Sequence, residues 1–464
     1  MKRVLAMLIA ALLLLTSTLA LAEAPGGNPP GDPPSGPMGT PPSGGPGGNP
    51  GMPGGGPGGG ADIDYAAATE ITEAGEWADE TYASDTADES ALIVNTDGTV
   101  TLANPTVAKT GDSDGGDSCS FYGLNAALLA MGGGTTIITG GTVTSDADGA
   151  NGVFCYGGNG GQNGAAGDGT TVLISDTAIT TTGDGSGGIM TTGGGWTVAE
   201  NLTVTTGGRS SAAIRTDRGG GEVAVYGGSY TTNGLGSPAI YSTANVTVSE
   251  AALVSNLSEG VCIEGQNAVA LENCELTANN TETNGNATFL DSVMIYQSMS
   301  GDADSGTSSF AMTGGVLTSL SGHMFHVTNT HAVISLSEVE LVNAGSDVLL
   351  SVCDDGWSGA DNVAELNASA QMLFGTILVG DNSSLTLSLT DGSAFEGAIS
   401  GEIVNAKGDV VSTEVGTVSV SLDETSTWSL TADTYIAEFS GDAGCVIGNG
   451  YALYVNGAPL EGTN

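Results

Sequence analysis

The sequence of 464 residues predicts an all-β chain wound as a parallel β-solenoid of about 12 turns, on three observations. First, an eight-residue pattern recurs, with apolar or small residues at its first, third, sixth and eighth positions. Its copies are VTLANPTV (100–107), TIITGGTV (136–143), VLISDTAI (172–179), VAVYGGSY (223–230), VTVSEAAL (246–253), VALENCEL (269–276), FAMTGGVL (310–317) and ISLSEVEL (334–341), with TVAENLTV (197–204) fitting more loosely. Second, the last residue of the pattern returns at 107, 143, 179, 204, 230, 253, 276, 317 and 341, in steps of 36, 36, 25, 26, 23, 23, 41 and 24. Third, no stretch carries a convincing apolar period of 3.6.

Each copy reads as two period-2 strands joined by a tight turn of Gly, Asn or Asp. One such unit cannot bury its apolar face alone, so each strand stacks on its equivalent one turn earlier, and the long steps are loops inserted between strands. A variant with one residue more continues the series at LNASAQM (366–372), LTDGSAF (389–395) and LDETSTW (422–428). The stacked core makes residues 91–464 a single domain, C-terminal cap included, behind an N-terminal capping region at 61–90.

Ahead of the repeats, MKRVLAMLIAALLLLTSTLALA has two cations, an apolar run and a small-x-small end at Ala20-Leu21-Ala22, the form of a secretory signal over residues 1–22. Val4–Ala22 is also just long enough to remain as an anchor. Either way the rest is expected to be secreted or at the cell surface. Residues 23–60, almost all Gly and Pro with Ser, Asn and Met, cannot bury a core and read as a spacer. The formal charge of −45, from 52 acidic and seven basic residues, argues against nucleic acid and anionic lipid as partners. Six cysteines without metal-type spacing read as isolated buried thiols.

The Gly- and Thr-rich repeats behind a signal segment and a Gly/Pro spacer resemble the right-handed parallel β-helix proteins of the pectin-lyase-like group, and within it secreted bacterial adhesin-like members. The resemblance spans about residues 91–464 and rests on architecture. It implies a right-handed helix and an extracellular protein that is non-catalytic or, alternatively, a polysaccharide lyase or glycoside hydrolase of that fold.

A third strand precedes each copy of the pattern, as in GVFCYGG (152–158), GIMTTGG (188–194) and AIRTDRG (213–219). With Leu128, Val153, Ile189, Ile214, Ile240, Val261, Ile295 and Phe325 inward, alternation sends Leu129, Phe154, Met190, Arg215, Tyr241, Cys262, Tyr296 and His326 outward. Two residues on, a second outward ladder reads Met131, Tyr156, Thr192, Asp217, Thr243, Glu264, Ser298 and Thr328. Arg215 is expected to stack on Tyr241 and pair with Asp217. Such a stripe is either a small secondary core under the insertions 157–168 and 279–291, or an exposed platform for polysaccharide or a cell-surface glycan. In the second case Phe154, Tyr156, Met190, Arg215, Asp217, Tyr241, Glu264, Tyr296 and His326 would be the binding residues.

Other constellations carry less chemistry. Arg215 with Asp217 is the only place offering the base and acid of a lyase, and Asp354-Asp355 in CDDGW reads as a turn. His323, His326 and His331 are expected not to converge. No cofactor is implied except calcium at Asp-x-Asp turns, foremost Asp112, Asp114 and Asp117 in DSDGGD, which also suit Asx turns. Oligomeric state is not legible in the sequence.

Overall fold

The computed structural model describes residues 63–159 and 166–464. The expected signal at 1–22 and spacer at 23–60 lie outside the described residues. The described chain is a right-handed parallel β-helix. One sheet has 13 strands in chain order, from Ala66–Ile71 to Ile399–Ser400, and a second has 22 strands built from the two halves of the repeated pattern. From Met372 onward the second half separates as a four-stranded sheet of Met372–Phe374, Ala394–Gly397, Thr427–Leu430 and Val446–Ile447. At roughly 4.8 Å per strand, the rod is about 60 Å long.

The sequence steps are the structural register. Val107 pairs with Val143, then in succession come Ile179, Val204, Tyr230, Leu253, Leu276, Leu317 and Leu341. The expected N-terminal cap at 61–90 is more than a cap, because Ala66–Ile71, Gly75–Ala78 and Thr81–Ser84 already form a full turn paired in parallel with the next.

A left-handed residue at the fifth position makes the bend inside each pattern: Asn104 (φ 53°), Gly140 (68°), Asp176 (51°), Asn201 (54°), Gly227 (65°), Glu250 (55°), Asn273 (50°) and Gly314 (62°) stack in this role, and after Gly140, Gly227 and Gly314 a second glycine is left-handed as well. Gly, Asn and Asp tolerate that region best, which is why they recur at the fifth position. Their side chains also hold neighbouring turns together. Asn104 Nδ2 donates to Asp79 Oδ1 at 2.7 Å, and Asn201 Nδ2 donates to Asp176 Oδ1 at 2.8 Å.

Inside, strand alternation stacks Leu128, Val153, Ile189, Ile214, Ile240, Val261, Val293 and Phe325, each at most 1% exposed. Val293 holds the place expected for Ile295, which pairs with Ile263 instead. A slip of two residues keeps the face, so both are inward, but it carries Tyr296 from the first outward ladder to the second. A slip of one does more harm. In the C-terminal variant Leu373, not Met372, pairs with Phe395, so Leu373 is buried and Met372 is 50% exposed. Phe395 then stacks on Trp428, whose Nε1 donates to Gly397 O at 3.1 Å. All six cysteines are free, Cys445 half-buried and the rest buried.

Candidate functional site

The outward face of the 13-stranded sheet carries the ladder Leu129, Phe154, Met190, Arg215, Tyr241, Cys262, Met294, His326. It is covered. Phe154, Met190 and His326 are 0% exposed, Cys262 6% and Tyr296 9%. The exposed platform is therefore corrected to a secondary core, because this many apolar side chains on one face draw the inserted segments down onto it.

That secondary core falls into three clusters. Ile93, Leu129, Phe154 and Met190 pack together with Tyr156 at their edge. Cys262, Met294 and Tyr296 pack with Tyr241 and Trp357, the Tyr296 and Trp357 rings 4.8 Å apart. Phe289, Cys353, Leu378 and Ile403 form the third. The insertion 279–291 covers the face through Phe289, as expected. The described ends of the insertion 157–168 lie instead against the Gly193–Gly194 turn, where Asn159 N donates to Gly193 O at 2.9 Å. Residues 160–165 lie outside the described residues. A short helix, α1 (Asp117–Tyr122), supplies the cover beside Phe154, its Tyr122 ring meeting Tyr156 edge-on at 5.8 Å.

The arginines fasten this cover. Arg215, in register between Met190 and Tyr241, pairs with Asp217 at 2.9 Å and donates to Ser120 Oγ of α1 at 3.1 Å. Its guanidinium lies 5.9 Å from the centre of the Tyr241 ring. Arg218 lies over the Phe121 ring and donates to Asp302 of the segment 297–306. Burial pushes the Asp217 carboxyl up to about 6, against the pull of Arg215 and helped by Asp302. Thr243, expected on the wet face, is 0% exposed.

Glu264, 1% exposed, has its carboxyl met by hydroxyls: Tyr241 Oη donates to it at 2.6 Å, Tyr296 Oη at 3.1 Å and Ser300 Oγ at 3.4 Å, and Ser298 Oγ also donates. These four hydroxyls compensate a carboxyl group that would otherwise be costly to bury. His323 and His326 do converge, correcting the sequence reading: both Nδ1 atoms lie 2.8 Å from Ser351 Oγ. His326 Nε2 also lies 3.3 Å from Asp355 Oδ2, too poorly aligned for a straight hydrogen bond. Asp355 also accepts from Thr288 N and Oγ1 and from Gly356 N. Burial pushes its carboxyl up, but His326 and these donors outweigh it and hold it below the usual range. Ser351, His326 and Asp355 have the residue types of an acyl-transfer relay, yet the Phe289 ring stacks on His326 at 4.7 Å and neither Ser351 nor His326 has exposed surface. The cluster ties the segments around 288 and 355 to the face. His331 stands apart, 3.0 Å from Glu365.

The DSDGGD acids do not gather. Asp112 Oδ1 accepts from Asp148 N at 2.9 Å, Asp148 Oδ1 from Asp184 N at 2.8 Å, and Asp184 Oδ1 from Arg209 N at 2.7 Å, a carboxylate ladder that links successive turns. Among the described residues no three His, Cys, Asp or Glu side chains are grouped to hold a metal ion, Asp112, Asp114 and Asp117 included.

An open site lies around the corner from the covered face, at the turn into the second sheet. A trough of about 450 Å³ runs there across Gly194–Gly195 and Gly219–Gly221, bordered by Trp196, Glu222, Asn245 and Gln266. Trp196, Glu222 and Asn245 are consecutive rungs of one column. Trp196 is half-buried; the other three are exposed. The floor is bare backbone because the turns pack too closely for side chains: a Cβ at Gly219 would lie 2.5 Å from Asn159 O, and one at Gly221 2.5 Å from Gly195 O. Sequence reasoning missed this site. Its signal is the pair of Gly triplets one turn apart, GGGW and GGGE, each followed by a large side chain.

Comparison of the chain with protein-family models, curated proteins and solved structures finds no significant match.

Proposed function

We propose that the protein is a secreted or surface-held, non-catalytic rod, adhesin-like in role, that binds polysaccharide in the Trp196 trough. One observation carries this reading: a ring, a carboxylate and a carboxamide follow one another at single-strand steps beside a floor of bare backbone. An indole face stacks on a sugar ring, and Glu222, Asn245 and Gln266 offer acceptors and donors to its hydroxyls. One strand step is comparable to the span of one sugar in an extended chain, so a glycan lying along the rod meets a new side chain at each residue. The export expected from residues 1–22 puts the rod where such chains are found.

A panel of neutral and acidic polysaccharides, read for binding and for new reducing ends or unsaturated uronates, tests the reading. Binding without new ends supports it. New ends or unsaturated products would make the protein an enzyme, and no binding would leave the trough without this role.

A further inference from the structure

Resting on that reading of the trough, we infer that its ligand is an uncharged glycan, laid parallel to the rod axis, and not a uronate. The charge distribution carries the inference. Of the described residues that line the trough, Glu222 alone is charged, and it is a rung of the binding column between Trp196 and Asn245. A carboxylated sugar seated there would bring its anion against Glu222 with no lining cation to meet it, and like charges at single-rung distances cost binding.

The nearest arginine in sequence, Arg218, is already engaged: both Nε and Nη2 point to Asp302 Oδ1, at 3.1 and 2.6 Å, and its face is taken by Phe121. Arg215 is turned into the covered face, held by Asp217, Ser120 and the Ser210 carbonyl. Lys109 is 1% exposed. The chain as a whole carries −45, so the long-range field opposes an approaching polyanion as well.

What remains suits hydroxyl groups. A carboxylate accepts from two adjacent sugar hydroxyls, whereas the amides of Asn245 and Gln266 both donate and accept, and the indole needs only a ring with axial C–H bonds. The open floor over Gly194–Gly195 and Gly219–Gly221 lets an unbranched chain lie close to the backbone.

The test titrates the full chain, and its W196A and E222Q variants, with cellohexaose, xylohexaose and hexagalacturonate by calorimetry at low salt. The expected result is that a neutral hexamer binds, that W196A weakens it about tenfold or more, and that hexagalacturonate binds at least tenfold more weakly but gains on E222Q. Hexagalacturonate binding as tightly as the neutral hexamers, with the loss on W196A retained, overturns the inference and leaves the trough a glycan site. A neutral hexamer bound equally by wild type and W196A, or no binding by any hexamer, overturns the reading of the trough itself.

Discussion

The Arg218 guanidinium lies 4.1 Å from the centre of the Phe121 ring, 97 residues earlier in the chain, and the same group reaches Asp302 Oδ1 at 2.6 Å. One side chain thus clasps two inserted segments, α1 and the stretch around 302, that meet nowhere in sequence. With Arg215, which reaches Ser120 of α1, it gives two of the few cations of an acidic chain a structural task. Arg218→Ala should lower folding stability by about 1–2 kcal/mol, since the pair is partly exposed while the ring contact is not wholly screened. Arg218→Lys should recover only part, because an ammonium cannot keep both the fork and the stacking. Urea denaturation checks this, and equal stability of wild type and Arg218→Ala would remove the clasp.

Inward and outward positions should separate by substitution. Ile240→Asp buries an unpaired charge in the stacked core and should cost several kcal/mol. Thr243→Asp should be nearly as harmful, its side chain lying under the cover at 0% exposure. Thr203→Asp, on the open face of the second sheet, should change stability by about 0.5 kcal/mol or less. A harmless Thr243→Asp would mean that the cover does not seal that part of the face.

How far such residues were legible follows from what sets them. Alternation and the left-handed bend are local: Asn104, Asp176 and Asn273 announce the bend by type, and Val107 to Leu341 announce the register by recurrence. The slip at Tyr296 follows the insertion 279–291, because no turn chemistry there fixes where the next strand begins. The cover was legible only as a symptom. Phe154 and Met190 are apolar where water was expected, but which segment lies over them depends on long-range packing of aperiodic sequence. Trp196 was not legible as a site because Gly triplets signal only tight turns, and the close packing of successive turns that bares the backbone beside the indole is set by stacking along the rod.

Asp217 and the half-buried His323 should give pH dependences of opposite sign. The Asp217 carboxyl, raised from 3.8 to about 6 mainly by burial, binds its proton more readily folded than unfolded, so its contribution is present below 3.8 and falls as pH rises through about 6. The His323 imidazole, lowered from 6.5 to about 4 by burial and by His326, contributes stability above 6.5 that is lost as pH falls toward 4. Asp217→Asn should therefore make stability rise more steeply with pH between 4 and 6, and His323→Asn should flatten it, each by at most about 1.4 kcal/mol per pH unit. Thermal or urea unfolding at pH 4, 5, 6 and 7 reads both slopes; identical profiles for wild type and the two variants would contradict them.

Asp112 should act through its hydrogen bond, not through a metal. Its Oδ1 accepts from Asp148 N, so Asp112→Asn keeps an acceptor and should be nearly neutral, while Asp112→Ala should cost about 1 kcal/mol, as loss of a cap does. Millimolar calcium and chelator should leave the melting temperatures of all three proteins unchanged. A rise with calcium in the wild type that Asp112→Ala abolishes would restore the metal reading of this turn.

The last prediction sets the open trough against the covered face. Tyr241 lies beneath the cover, its Oη bound to Glu264 at 2.6 Å and its ring under Arg215, so Tyr241→Ala opens a cavity and removes one of the donors to a buried carboxylate. It should lower stability by about 3 kcal/mol or more and leave glycan binding where it was. Trp196 stands half-exposed beside a floor of backbone. Trp196→Ala should lower binding by about 1–2 kcal/mol while costing less in stability than Tyr241→Ala, because much of the indole already faces water. The crossed pattern is the informative one, since a rod that binds through the first ladder would show the reverse, with Tyr241→Ala losing the ligand in a protein that still melts like the wild type. Measuring a binding isotherm and an unfolding curve on the two variants separates a wall that holds the fold together from a surface that meets another molecule.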